Sequence, residues 1–141
     1  MTPQEALQKT LAGEHAAVYL YGVIGGRVSS SSAAELWQRV RDAYTLHRGR
    51  RDQLMAMVRA TEADPVEAEV SYELPNAPGT PAQLQRAALS VEQRCAAVYA
   101  DMVGSTSGAN RQWALDALED SAVRLLGFGG EPEPFPGIGE L

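Results

Sequence analysis

Cysteine is almost absent from this chain. Among 141 residues only Cys95 carries a thiol, so no intrachain disulfide can form, and a reducing, cytoplasmic setting is expected. Inside "EQRCAAVY" a lone Cys reads as a small core residue. Histidine is nearly as scarce, with only His15 and His47. There is no HExxH, no CxxC and no glycine loop of nucleotide-binding spacing, because no strand precedes "GGRVSSSS". Basic residues are outnumbered, 12 Lys and Arg against 18 Asp and Glu, for a net charge of −6. That balance excludes a nucleic-acid partner held by charge. No apolar run approaches the roughly 20 residues of a membrane span. The start, "MTPQEALQKT", lacks the basic and apolar blocks of a signal peptide.

What is present is helical punctuation. "TPQE" offers Thr2 as N-cap, Pro3 at the first helical position and Glu5 to complete a capping box. "TPAQ" repeats the device with Thr80, Pro81 and Gln83, and "SAAE" offers Ser32 and Glu35. A weaker start lies at 107–110. Stops are expected at Gly25-Gly26, before Pro65, at Gly104 and at Gly127. The spacing predicts helices over about 3–25, 33–60, 81–103 and 109–126. Their apolar stripes are Leu7, Leu11, Val18 and Tyr21; Leu36, Val40, Ala43, Leu54 and Val58; Leu84, Val91, Cys95, Val98 and Met102; and Leu115, Leu118, Ala122 and Leu125. "AEVSYEL" alternates but has no partner strand.

Connection lengths give the topology. Short links between helices 1 and 2, and between 3 and 4, make antiparallel hairpins. The segment 62–79, "EADPVEAEVSYELPNAPG", is long enough to run the length of the bundle. The expected domain is therefore a four-helix bundle over 1–126 with one long crossover, followed by a Pro/Gly-rich tail, 127–141, packed as a strap through Phe128, Phe135 and Ile138.

The hairpins look related. A displacement of 78 positions carries Thr2-Pro3 onto Thr80-Pro81, Glu14 onto Glu92 and Tyr21 onto Tyr99. A displacement of 75 carries Ser32 onto Ser107, Tyr44 onto Glu119 and His47 onto Ala122. By periodicity Glu14 and His47 point into the bundle, and the hydroxyls of buried tyrosines should find these acids. His15 lies one step round the helix and is expected nearer the surface or the interface. Trp37 and Trp113 occupy early turns of helices 2 and 4, at one end of the bundle or on a dimer face.

The stretches "ALQKTLAGEHAAVYLYGVIGGRV", "LHRGRRDQL", "EQRCAAVYADM", "ALDALEDSAVRLLGFGG" and "PEPFPGI" carry a resemblance to the ferritin-like superfamily. More closely, the chain resembles an uncharacterised ferritin-like family of high-GC Gram-positive bacteria, a domain of unknown function. That resemblance implies a di-metal ligand set of one Glu and one Glu-x-x-His from each hairpin. Glu14, His47, Glu92 and Glu119 occupy four of its six positions. Tyr44 and Ala122 stand where the other carboxylate and histidine belong. The expected function is thus a non-catalytic structural or binding protein without a cofactor. Its interior would hold a buried network of Glu14, Tyr44, His47, Arg51, Glu92, Tyr99 and Glu119. Two alternatives stand beside it. One is a redox or storage-related protein binding a single Fe, Mn or Zn ion through Glu14, His47, Glu92 and Glu119, with Tyr44 as a fifth ligand. The other is a small-ligand pocket in the bundle core. A homodimer is expected in each case.

Overall fold

Two of the four helices open on the chemistry that their first turns advertise. α1 (Pro3–Arg27) starts with a complete capping box: Glu5 N–H donates to Thr2 Oγ1 at 3.2 Å and Thr2 N–H donates to Glu5 Oε2 at 2.7 Å. α3 (Pro81–Ser105) repeats it with Thr80 and Gln83. Satisfying two otherwise orphaned donors in this way fixes where the chain turns helical. α2 (Ala34–Arg59) and α4 (Gly108–Gly127) have no side-chain cap. Ser32 is not the N-cap of α2. Ala33 takes that place, and the Ser32 N–H instead donates to Ser29 Oγ at 3.1 Å.

The computed structural model describes residues 1–140 and is all-α. α1 does not stop at Gly25-Gly26 but continues to Arg27, and α3 likewise runs through Gly104. Tertiary packing overrides the weak helix propensity of glycine at Gly25, whose face rests against Val40 of α2.

The helices pair as two hairpins, α1 with α2 and α3 with α4, and the hairpins meet chiefly through α1 and α3. Residues 60–80 form the crossover and contain no helix or strand. It is fastened to α1 along that helix. Gln8 brackets it, donating to the Asp64 carbonyl at 2.7 Å and accepting from Val66 N–H at 2.8 Å. Tyr72 packs on Tyr19 with ring centroids 5.5 Å apart, and Arg27 donates to the Pro78 carbonyl at 3.1 Å. The crossover therefore travels from the first turns of α1 to its last and delivers α3 antiparallel to α1.

Two apolar clusters fill the interior. One gathers Leu20, Ile24, Val40, Leu84, Val91 and Phe128; the other gathers Leu7, Leu11, Leu54, Val58 and Met102. Fully burying such side chains contributes about 1.5–3 kcal/mol each. Along α1 and α2, Glu14 and His47 fall between the two clusters.

After α4 the chain returns across α3 and forms a 3-10 turn at Ile138–Glu140. The expected apolar anchors of this tail are only one-third correct. Phe128 is buried, but Phe135 and Ile138 are 72% and 58% exposed. The close approach is made by Gly137 instead. A Cβ there would lie 2.4 Å from the Ala96 carbonyl oxygen, and its φ of +79° suits glycine.

Candidate functional site

The displacement of 78 positions holds in three dimensions. It carries six buried positions of α1 onto buried positions of α3: Ala6 onto Leu84, Thr10 onto Ala88, Glu14 onto Glu92, Ala17 onto Cys95, Tyr21 onto Tyr99 and Ile24 onto Met102. Both carboxylates therefore enter the core from the two central helices. Between them lies the imidazole of His47, projected from α2. Its Nδ1 is 2.6 Å from Glu14 Oε2 and its Nε2 is 2.8 Å from Glu92 Oε1. Glu14, His47 and Glu92 are each no more than 1% exposed.

The tyrosines cross over between hairpins. Tyr21 of α1 donates to Glu92 Oε1 at 2.7 Å, while Tyr99 of α3 donates to Glu14 Oε1. Tyr21 also lies flat against the His47 ring, with centroids 5.3 Å apart and planes at 17°. Ser121 of α4 donates to Glu92 Oε2 at 2.6 Å. A second tier surrounds this core. Arg50 Nη1 donates to the Tyr99 hydroxyl at 3.2 Å, and Arg50 Nη2 to Asp120 Oδ2 at 2.7 Å. Arg124 Nη1 donates to the same Asp120 oxygen at 2.6 Å, and its Nε is 3.9 Å from Glu92 Oε1. Three carboxylates thus face two guanidinium groups and one imidazole that is doubly hydrogen-bonded. No buried side-chain polar atom among the described residues lacks a partner, which is what makes so much buried charge tolerable.

Proton affinities follow from this geometry. Burial alone would pull the His47 pKa down. The hydrogen bonds to Glu14 and Glu92, together with their charges, outweigh it and lift the value to about 9. Burial pushes Glu92 the opposite way, but donation from His47, Ser121 and Tyr21 leaves its pKa below the usual carboxylate range. The Tyr21 and Tyr99 hydroxyls are driven well up, first by burial and then by the adjacent carboxylates. At neutral pH His47 is therefore an imidazolium and the Tyr21 and Tyr99 hydroxyls are neutral phenols. Cys95 is buried beside it, its thiol pKa raised by burial.

Several residues fall elsewhere than the spacing predicts. Glu119 is exposed, because α4 is rotated from its predicted register. Its buried residues are Ala114, Ala117, Ser121 and Leu125, with Leu115 and Leu118 half-buried on the flank. The governing displacement between α2 and α4 is 74, not 75. It carries Val40 onto Ala114, Ala43 onto Ala117, His47 onto Ser121 and Arg50 onto Arg124. Tyr44 is half-buried outside the network, under the Arg48 guanidinium at 5.5 Å. Arg51 is paired with its neighbour Asp52 at 2.9 Å, and the arginine that enters is Arg50. His15 is not a surface residue. It is 9% exposed and its Nε2 lies 2.9 Å from the Val66 carbonyl, beneath the crossover.

The ligand set implied by the ferritin-like resemblance does not fit this interior. Both ring nitrogens of His47 face carboxylates, and Glu119 is exposed. Among the described residues no three His, Cys, Asp or Glu side chains converge as metal ligands. Among the described residues no helix is long and apolar enough to cross a membrane.

A family model described as a domain of unknown function, DUF4439, matches residues 6–140. The chain is also similar to the crystal structure of a conserved hypothetical protein, Rv2844, from Mycobacterium tuberculosis. The TM-score is 0.82 at 30% identity, over 90% of this chain and 87% of that one. No curated protein matches.

Proposed function

The chain belongs to the DUF4439 family, and within it we propose a non-catalytic, ferritin-like structural or binding protein. In this reading the position that holds a metal pair in ferritin-like relatives is taken over by a closed network. One observation carries it. The imidazole of His47 spends both nitrogens on Glu14 and Glu92, at 2.6 and 2.8 Å, and leaves no lone pair directed at a third site. Such a clasp ties α1, α2 and α3 together by charge-assisted hydrogen bonds. Tyr21, Tyr99 and Ser121 complete it and bring in α4.

Metal analysis of protein purified without chelator tests this reading. Substoichiometric Fe, Mn and Zn, with a Tm unmoved by chelator, is the expected result. One metal ion per chain that disappears in His47→Ala would overturn it in favour of a mononuclear metal protein.

A further inference from the structure

Along α2 the residues Trp37, Arg41, Tyr44 and Arg48 follow one another at spacings of four, three and four, so they share one helix face. Each arginine packs back on the aromatic ring one turn before it. The Arg41 guanidinium lies 5.2 Å from the Trp37 ring centroid, and that of Arg48 lies 5.5 Å from Tyr44. Trp37, Arg41 and Tyr44 of this ladder, with Val40, wall a cleft of about 300 Å³ between α2 and α1. The opposite side is formed by Tyr21, Gly22 and Gly25.

The glycines are not required by packing. A Cβ on Gly22 would meet Tyr44 Cε2 at 3.6 Å, and one on Gly25 would meet Val40 Cγ1 at 3.4 Å, both ordinary contacts. Gly13 of the same helix is different, since a Cβ there would press on Val98 at 3.2 Å. Glycine inside a helix costs stability relative to alanine. Gly22 facing the Tyr44 ring, and Gly25 facing Val40, keep a slot open. Charge points the same way. In a chain of net charge −6, this cleft is lined by no carboxylate and by one guanidinium group, that of Arg41, while Arg48 lies over the ring of Tyr44.

We infer that the cleft between α1 and α2 binds a small, planar aromatic acid. Its ring would slide over Gly22 between Trp37 and Tyr44, and its acid group would meet Arg41. Flat rings are held by aromatic stacking, and guanidinium groups select planar oxyanions. This site is separate from the His47 clasp, although Tyr21 touches both.

The indole N–H signals of the two tryptophans provide the test in solution NMR. 2-Naphthoate is the probe and 2-naphthylmethylamine its cationic counterpart. Trp113, bonded through Nε1 to Gln53 at 2.8 Å, is the internal reference. Naphthoate should move the Trp37 signal saturably and leave Trp113 in place, and the amine should bind about tenfold more weakly or not at all. Gly22→Ala should raise Tm by about 2–4 °C while weakening naphthoate by about tenfold or more, because a single methyl fills the slot. Arg41→Gln should weaken naphthoate and leave the amine unaffected. An unmoved Trp37 signal overturns the proposal. So do equal binding of acid and amine, wild-type affinity in Gly22→Ala, or a dimer that buries Trp37 against a second copy.

Discussion

Tyr99 of α3 donates its hydroxyl to Glu14 of α1, a residue of the other hairpin. Tyr21 of α1 returns the contact to Glu92 of α3. Each carboxylate is therefore completed by the half of the chain that does not contain it, and the consequences can be measured.

Removing the imidazole should be costly. His47→Ala leaves Glu14 and Glu92 buried, facing each other across a void. Breaking a buried ion pair from one side costs about 3–5 kcal/mol, so thermal unfolding should show Tm lowered by 10 °C or more. Tyr21→Phe should cost less, about 1–2 kcal/mol, because Glu92 keeps His47 and Ser121. Equal Tm values for the two variants would contradict the clasp.

Stability should fall in mild alkali. The folded pKa of His47, about 9, lies above its ordinary value of 6.5. The contribution is therefore fully present below about pH 6.5 and is lost as pH rises to 9 and beyond. Its size is up to about 3 kcal/mol. Urea midpoints measured at pH 6.5, 8 and 9.5 should decline in that order, and His47→Ala should flatten the trend. Glu92 works at the other end: its depressed pKa gives stability that is present above about pH 4.5 and lost as pH falls through the folded value.

The register of α4 can be checked by two neighbouring substitutions. Ser121→Ala removes a donor from buried Glu92 and should cost about 1–2 kcal/mol. Glu119→Ala, at an exposed position, should leave Tm within about 1 °C of the parent. The reverse order would restore the 75-position register.

The tail should respond to single methyl groups. Gly137→Ala drives a Cβ into the Ala96 carbonyl at 2.4 Å and strains a positive φ, so proteolysis after α4 should accelerate. Gly139, with nothing within 4 Å of an added Cβ, should accept alanine silently.

Much of this fold is legible in the residues. Thr2 and Thr80 announce their helices because a capping box is local chemistry. The crossover announces its role by length. Glu14 and Glu92 are found by a displacement that also aligns their caps. Helix 4 misleads because hydrophobic periodicity favours its largest apolar residues, Leu115 and Leu118. The true interior uses Ala114, Ala117 and Ser121, small residues that let the helix approach closely. Requiring Arg50 and Arg124 to coincide would have found the displacement of 74. Arg50, moreover, is the arginine in step with Ala43, His47 and Leu54. The glycines at 25 and 26 mislead for another reason: a stop signal is only a propensity, and contact with Val40 outweighs it.

The repeat and the exchanged tyrosines together make this single chain the internal equivalent of a two-fold dimer. The self-complementary surface joins the first half of the chain to the second. The crossover contributes no side chain to that surface's polar centre. A protease cut within residues 66–71 should therefore yield two fragments that stay associated and refold together. Neither alone holds both acids and both phenols.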